Sequence, residues 1–263
     1  MLKGHLIAGI SILAVTVLAG HKGAAAESCL GNISDPTTSC ERVSPQSPRD
    51  ITNPAGTNPV RFSKALLPIT QMRLCDIHFH KPAEHKIPAT IPTSPAGFVC
   101  AAKAAPSAPP QAAGEAGHAG CQGVQAGDTI EVHWVYTTCN VDPAPTLNSC
   151  FSANCINPQI RAEAQVFRLV STGQGQDWQA SGYSQYPPPA GSRTVEYLGS
   201  TTGDAYDDQK CSPFQVLFKV RPNCLPLTLA SLNRWCDDNP YDEDHPHGVR
   251  KLVTNPALLS RIP

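Results

Sequence analysis

The sequence predicts a mainly β protein, and three observations lead there. Short runs of alternating apolar and polar residues, the period of a strand, recur along the chain. Its 26 prolines argue against a predominantly helical chain, because proline lacks the amide donor and breaks helix interiors. The 263 residues, less a leader, suit one domain with its own core, since β-rich domains routinely reach about 200 to 250 residues.

In chain order, Met1 to Ala26 read as a secretory signal peptide: Lys3 precedes the apolar run Leu6 to Leu18, and Ala24-Ala25-Ala26 is a small-residue cleavage site. That run is shorter than the roughly 20 residues a spanning helix needs, so cleavage is expected, without stable membrane insertion, leaving residues 27–263 as the domain. Glu27 to Pro59, rich in Ser, Thr, Asn and Pro, reads as an irregular arm held by Cys29 and Cys40. Met72 to His80 alternates as a strand. Pro88 to Gly127 is dominated by Pro, Ala and Gly and reads as a long loop carrying Cys100 and Cys121. Gly127 to Thr138, with Ile130, Val132, Trp134 and Val135, is a second strand. Arg161 to Val170 alternates like a strand although its Ala and Glu suit a helix; the Val166-Phe167 and Leu169-Val170 pairs favour the strand. Arg193 to Leu198 and Phe214 to Val220 complete the set.

With 20 basic and 21 acidic side chains and no dense Lys/Arg cluster, neither nucleic acid nor an anionic membrane is an implied partner. A small neutral or singly charged substrate fits better. All 11 cysteines follow the leader, so an exported chain would hold them mostly as disulfides, with one left over and the pairing undetermined by spacing. No CxxC occurs, which argues against a zinc-thiolate site. The expected location is secreted or periplasmic.

The informative segment is Cys75-Asp76-Ile77-His78-Phe79-His80-Lys81-Pro82-Ala83-Glu84-His85. Residues two apart on a strand share a face, so His78 and His80 can present two imidazoles to one ion. A catalytic site needs a third ligand and an open position for water, and His133 in Glu131-Val132-His133-Trp134-Val135 is the best third ligand. Glu131 and Asp76 each lie two residues before a candidate ligand, where a carboxylate could accept the other ring proton. His118, in Gly/Ala-rich sequence, and His245 and His247, near Asp244, read as solvent-facing groups.

These motifs resemble the delta-class carbonic anhydrases and their bacterial relatives. His78-Phe79-His80, Ala83-Glu84-His85, Glu131-Val132-His133 and the Gly248 to Pro256 tail carry the resemblance, which spans most of the mature chain. The same order is similar to the alpha class, where an HFH strand precedes Ser-Glu-His, a Glu-x-His-x-Val strand and a Gly-Ser-x-Thr-Thr loop. The resemblance implies a single domain around a twisted, mostly antiparallel sheet with long disulfide-tethered loops, as in the alpha-class architecture. It further implies Zn2+ on His78, His80 and His133, and Glu84 orienting the hydroxyl of Thr201. Val135 would line the carbon dioxide pocket. The chain departs from the alpha pattern in the shorter stretch between His80 and Glu84, the missing residue before Thr201, and Asp76 where glutamine is usual.

The implied reaction is reversible hydration of carbon dioxide to bicarbonate and a proton by metal-bound hydroxide, a lyase activity. His85 and His118 are candidates for passing the proton to solvent, and no motif selects either. Two other readings compete. His78, His80 and Glu84 also spell the first half of a cupin site, where the acid is a ligand and the enzyme an oxygenase or isomerase. The second cupin half is absent, since Ile130 and Thr137 stand where its Gly and Asn would be. A catalytically silent metal-binding protein would retain the ligands and lack turnover. Oligomeric state is not readable.

Overall fold

The structure is a computed structural model. It describes residues 40, 45–59, 67–93, 96–101, 120–145, 147–155, 158–171, 173–201, 206–249, 251 and 253–262. The expected signal peptide, Cys29 and His118 lie outside the described residues.

Among the described residues seven strands form, β1 (Arg73–His80), β2 (Thr90–Pro92), β3 (Phe98–Cys100), β4 (Thr129–Thr137), β5 (Ile160–Val170), β6 (Val195–Ser200) and β7 (Gln215–Thr228), followed by one α-helix, α1 (Leu229–Asp237). Five of them make one sheet in the order β1-β4-β5-β7-β6, and β2 and β3 make a separate hairpin. The β1-β4, β4-β5 and β6-β7 pairs are antiparallel and β5-β7 is parallel, so the mainly β, mostly antiparallel expectation holds. The parallel pair arises because the chain leaves β5, runs over one face, forms β6 at the sheet edge and returns as β7 between them.

β4 is buried at every position, which its apolar run dictates for a strand covered on both faces. On one face Ile77, Phe79, Val132 and Trp134 pack against Trp178, Tyr183 and the apolar side of α1. Trp134 is wholly buried and its indole nitrogen donates to the Tyr183 carbonyl at 2.7 Å, so the large ring enters the core without an orphaned donor. On the other face Val135, Ala162, Ala164, Val166, Tyr197 and Phe218 form a second core. His78, His80 and His133 share the strand parity of this second face.

Five disulfides pin the loops: Cys40–Cys211, Cys75–Cys150, Cys100–Cys224, Cys121–Cys236 and Cys139–Cys155. Every described cysteine is therefore paired. The Pro88 to Gly127 stretch differs from the expected loop at its start, where the β2-β3 hairpin forms and Cys100 ties it to β7.

Candidate metal centre

The β1-β4 register sets His78 directly opposite His133, and His80 opposite Glu131. Adjacent strands in a sheet lie about 4.8 Å apart, so opposed side chains on one face must meet. The three imidazoles do so, with ring centroids 5.0 to 5.1 Å apart, and one nitrogen of each lies within 4.8 Å of the others.

Which nitrogens face inward follows from what holds the outer ones. His78 Nδ1 is 2.6 Å from Asp76 Oδ2, His80 Nδ1 is 3.3 Å from the Gly248 carbonyl, and His133 Nε2 is 3.0 Å from Glu131 Oε1. Each partner is an acceptor only, so each outer nitrogen carries the proton. In the neutral rings the inner atoms, His78 Nε2, His80 Nε2 and His133 Nδ1, are then the ones with a lone pair to offer a cation. His133 Nδ1 and His78 Nε2 stand 3.2 Å apart. Two nitrogens bound tetrahedrally to zinc at about 2.0 to 2.1 Å would be separated by about 3.3 Å, so the spacing fits one shared cation. Burial, then the charges of His133 and His78, hold the His80 imidazole well below its ordinary value, which keeps it neutral and able to ligate.

Glu131 anchors a longer chain of contacts. Besides His133, its Oε1 meets His85 Nδ1 at 2.5 Å, its Oε2 accepts the His85 backbone N–H at 2.8 Å, and His85 Nε2 reaches the Tyr197 hydroxyl at 2.5 Å. Burial alone would raise the Glu131 carboxyl, but the charge of His85 and the hydrogen bonds from His133 and His85 hold it well below the carboxylate range. Glu131 is therefore an anion with no solvent contact, its Oε1 matched by two imidazoles and its Oε2 by the His85 backbone N–H. His85, named as a possible proton carrier, is buried with both ring nitrogens engaged. Its role as a brace was not legible, because the loop after β1 carries no period that aims it at β4.

Glu84 is 5% exposed and its Oε1 has no hydrogen-bond partner. It lies 3.6 Å from His80 Nδ1, on the outer side of that ring rather than where the inner nitrogens converge. The cupin reading needs Glu84 on the inner side. Arg49 grips the Glu84 backbone carbonyl through Nε at 2.9 Å, and its own Nη2 is buried without a partner. Thr201 is not joined to Glu84: its hydroxyl is shared with Ser212 Oγ at 2.8 Å at the end of β6. Val135, two residues after His133, is buried in the site-facing core. Phe218, which the sequence reading passed over, lies 6.1 Å from His133 and 5.5 Å from His85 by ring centroids.

His247 departs from the expected surface position. Its backbone pairs with β1, its ring lies 5.4 Å from His78 and 5.7 Å from His80, and Nε2 meets Glu243 Oε2 at 3.1 Å. The side chain is 32% exposed. His245 remains an exposed group beside Asp244.

Among known proteins, the model of the delta carbonic anhydrase family matches residues 69–231, more than half of the chain. No curated protein matches it. Solved structures similar over part of their length include two alpha carbonic anhydrases. One is a fungal alpha carbonic anhydrase from Aspergillus oryzae, 16% identical, covering 67% of this chain and 58% of its own, with a TM-score of 0.29. The other is the alpha carbonic anhydrase of Thermovibrio ammonificans in complex with sulfanilamide, 13% identical, covering 70% of this chain and 63% of its own, also with a TM-score of 0.29. The chain thus spans less than two thirds of either structure.

Proposed function

The chain belongs to the delta carbonic anhydrase family, and from that premise we propose that it catalyses the reversible hydration of carbon dioxide to bicarbonate and a proton, with a zinc ion held by His78 Nε2, His80 Nε2 and His133 Nδ1. The observation that carries the reading is the set of three inward lone pairs whose outer nitrogens are each tied to an oxygen acceptor. Bare lone pairs converging in a buried site repel one another unless a cation lies among them. When bound, zinc supplies the Lewis acidity that makes water nucleophilic near neutral pH, an effect for which carbonic anhydrases are the standard example.

The chain's own residues do the rest. Asp76 and Glu131 fix the tautomers of His78 and His133 and raise their basicity toward a cation. His85 and Tyr197 hold Glu131 so that its carboxylate cannot turn inward and take a ligand's place. Three neutral imidazoles leave the full positive charge of the ion available, whereas a carboxylate ligand would cancel part of it. Val135, with Phe218 beside His133, gives carbon dioxide an apolar wall. Glu84, with its unpartnered Oε1, is suited to accept a hydrogen bond from a hydroxyl that orients the attacking water. Thr201 can take that part if Ser212 is the donor in their contact, which leaves the Thr201 proton free. We further propose export, with residues 1–26 as the removed leader; five disulfides fit an oxidising compartment, and no described helix is long and apolar enough to cross a membrane.

Stopped-flow carbon dioxide hydration by the purified protein tests the reading. The expected result is turnover well above buffer that His133→Ala abolishes together with zinc content. Tight binding of one zinc without hydration above buffer would instead identify a silent metal-binding protein.

A further inference from the structure

On the face of the sheet opposite the imidazoles, an open groove of about 500 Å³ lies between the strands and the segment around Pro188. Its floor is ionic. Glu163 on β5 pairs with Arg161 at 2.8 Å and with Arg221 of β7 at 3.0 Å. Glu196 on β6 pairs with Lys219 at 2.8 Å and reaches Arg161 at 3.5 Å. Three cations thus face two carboxylates, leaving one positive charge without a counter-ion among these groups.

The two carboxylates differ in freedom. Glu163 is 2% exposed and locked between two guanidinium groups, one of which is fixed in turn by the bond from Arg221 Nε to the Pro188 carbonyl at 2.8 Å. The Glu196 side chain is 41% exposed and can swing into water at little cost. Once it moves, Arg161 and Lys219 present converging donors to whatever enters. The groove is much larger than an inorganic ion, and its walls are apolar: Tyr186 is 59% exposed at the rim, with Pro68, Ile69 and Pro189 also lining it.

We propose that this groove binds a small organic monoanion, an aromatic or other apolar-bodied carboxylate, independently of the metal centre. The carboxylate replaces Glu196 on Arg161 and Lys219 through charge-assisted hydrogen bonds. The apolar body lies along Tyr186 and the prolines, where a flat ring removes the most exposed apolar surface from water. The ligand's single negative charge takes the place of the displaced Glu196 carboxylate between Arg161 and Lys219, which favours an anion over a neutral ligand.

The probe is 4-fluorobenzoate, titrated into the full-length zinc-loaded protein and followed by fluorine NMR. Three variants are compared, each checked for fold by circular dichroism. Lys219→Met keeps the aliphatic stem and removes the charge, and it weakens binding about tenfold. Glu196→Gln removes the competing carboxylate and tightens binding several-fold. His133→Ala, on the opposite face, leaves the affinity unchanged. Any pattern in which Lys219→Met and Glu196→Gln do not move the affinity in opposite directions overturns the proposal, as does absence of binding to the wild type. Loss of binding in His133→Ala would assign the probe to the metal centre and overturn it equally.

Discussion

At the scale of single residues, the proposed metal centre would depend on atoms that never touch the metal. Glu131 holds His133 in the tautomer that bares Nδ1, so Glu131→Gln is expected to weaken zinc binding about 10- to 100-fold, read by competition with a chromophoric chelator. Affinity equal to wild type would remove Glu131 from this role. His85 makes a second test possible. Burial would lower its imidazole, but the charge and hydrogen bond of Glu131 outweigh burial and raise it above 6.5. A histidine raised on folding contributes stability that is complete below its unfolded value and is lost as pH climbs through the folded one. In metal-free protein the melting temperature should therefore decline from pH 6.5 upward, with a shallower decline in His85→Asn; equal slopes would contradict the His85-Glu131 pairing. The clustering of the three imidazoles was legible because HxH needs only strand parity, and Asp76 and Glu131 because i-2 keeps that parity. His85 and Tyr197 were not, since their contacts span 46 and 112 residues and obey no local period.

Among the elements, β4 and β5 were readable from their alternation, and choosing strand over helix for Arg161 to Val170 succeeded on its β-branched and aromatic residues. β7 was read only as far as Val220, yet it continues to Thr228. Pro222 and Pro226 concealed the rest, as prolines usually end a strand. They are tolerated because β6 pairs with β7 no further than Val220, so beyond that point one side of the ladder demands no amide donor from β6. The β2-β3 hairpin escaped notice because three-residue strands contain too little alternation to read. β6 also carries a close approach: a Cβ on Gly199 would lie 2.3 Å from Ser47 Oγ, a hydroxyl held by the Ser200 backbone at 2.7 and 2.9 Å. Gly199→Ala should cost about 1 to 3 kcal/mol by overpacking, measured by urea unfolding; an unchanged midpoint would mean that the 45–48 segment moves away freely.

Across the whole molecule, disulfides replace part of what regular structure would provide. They join residues 171, 124, 115, 75 and 16 positions apart, a pairing that spacing could not reveal because chain reversals, not sequence distance, bring the sulfurs together. Each bridge typically contributes about 2 to 4 kcal/mol, and a domain is stable by only about 5 to 15 kcal/mol. Full reduction should therefore abolish the cooperative thermal transition, seen by near-ultraviolet circular dichroism, and a reduced protein that still melts cooperatively would contradict this. The β class followed from composition and alternation, whereas the crossing that places β7 parallel to β5 is a long-range choice that no local pattern encodes. Everything functional rests on the sheet bringing β1 and β4 together in the register that opposes His78 to His133. An anomalous difference map from crystals of the zinc-loaded protein, recorded at the zinc edge, tests this most directly. One strong peak about 2.0 to 2.1 Å from His78 Nε2, His80 Nε2 and His133 Nδ1 is the predicted result; a zinc peak elsewhere, or one bound by Glu84, would contradict it.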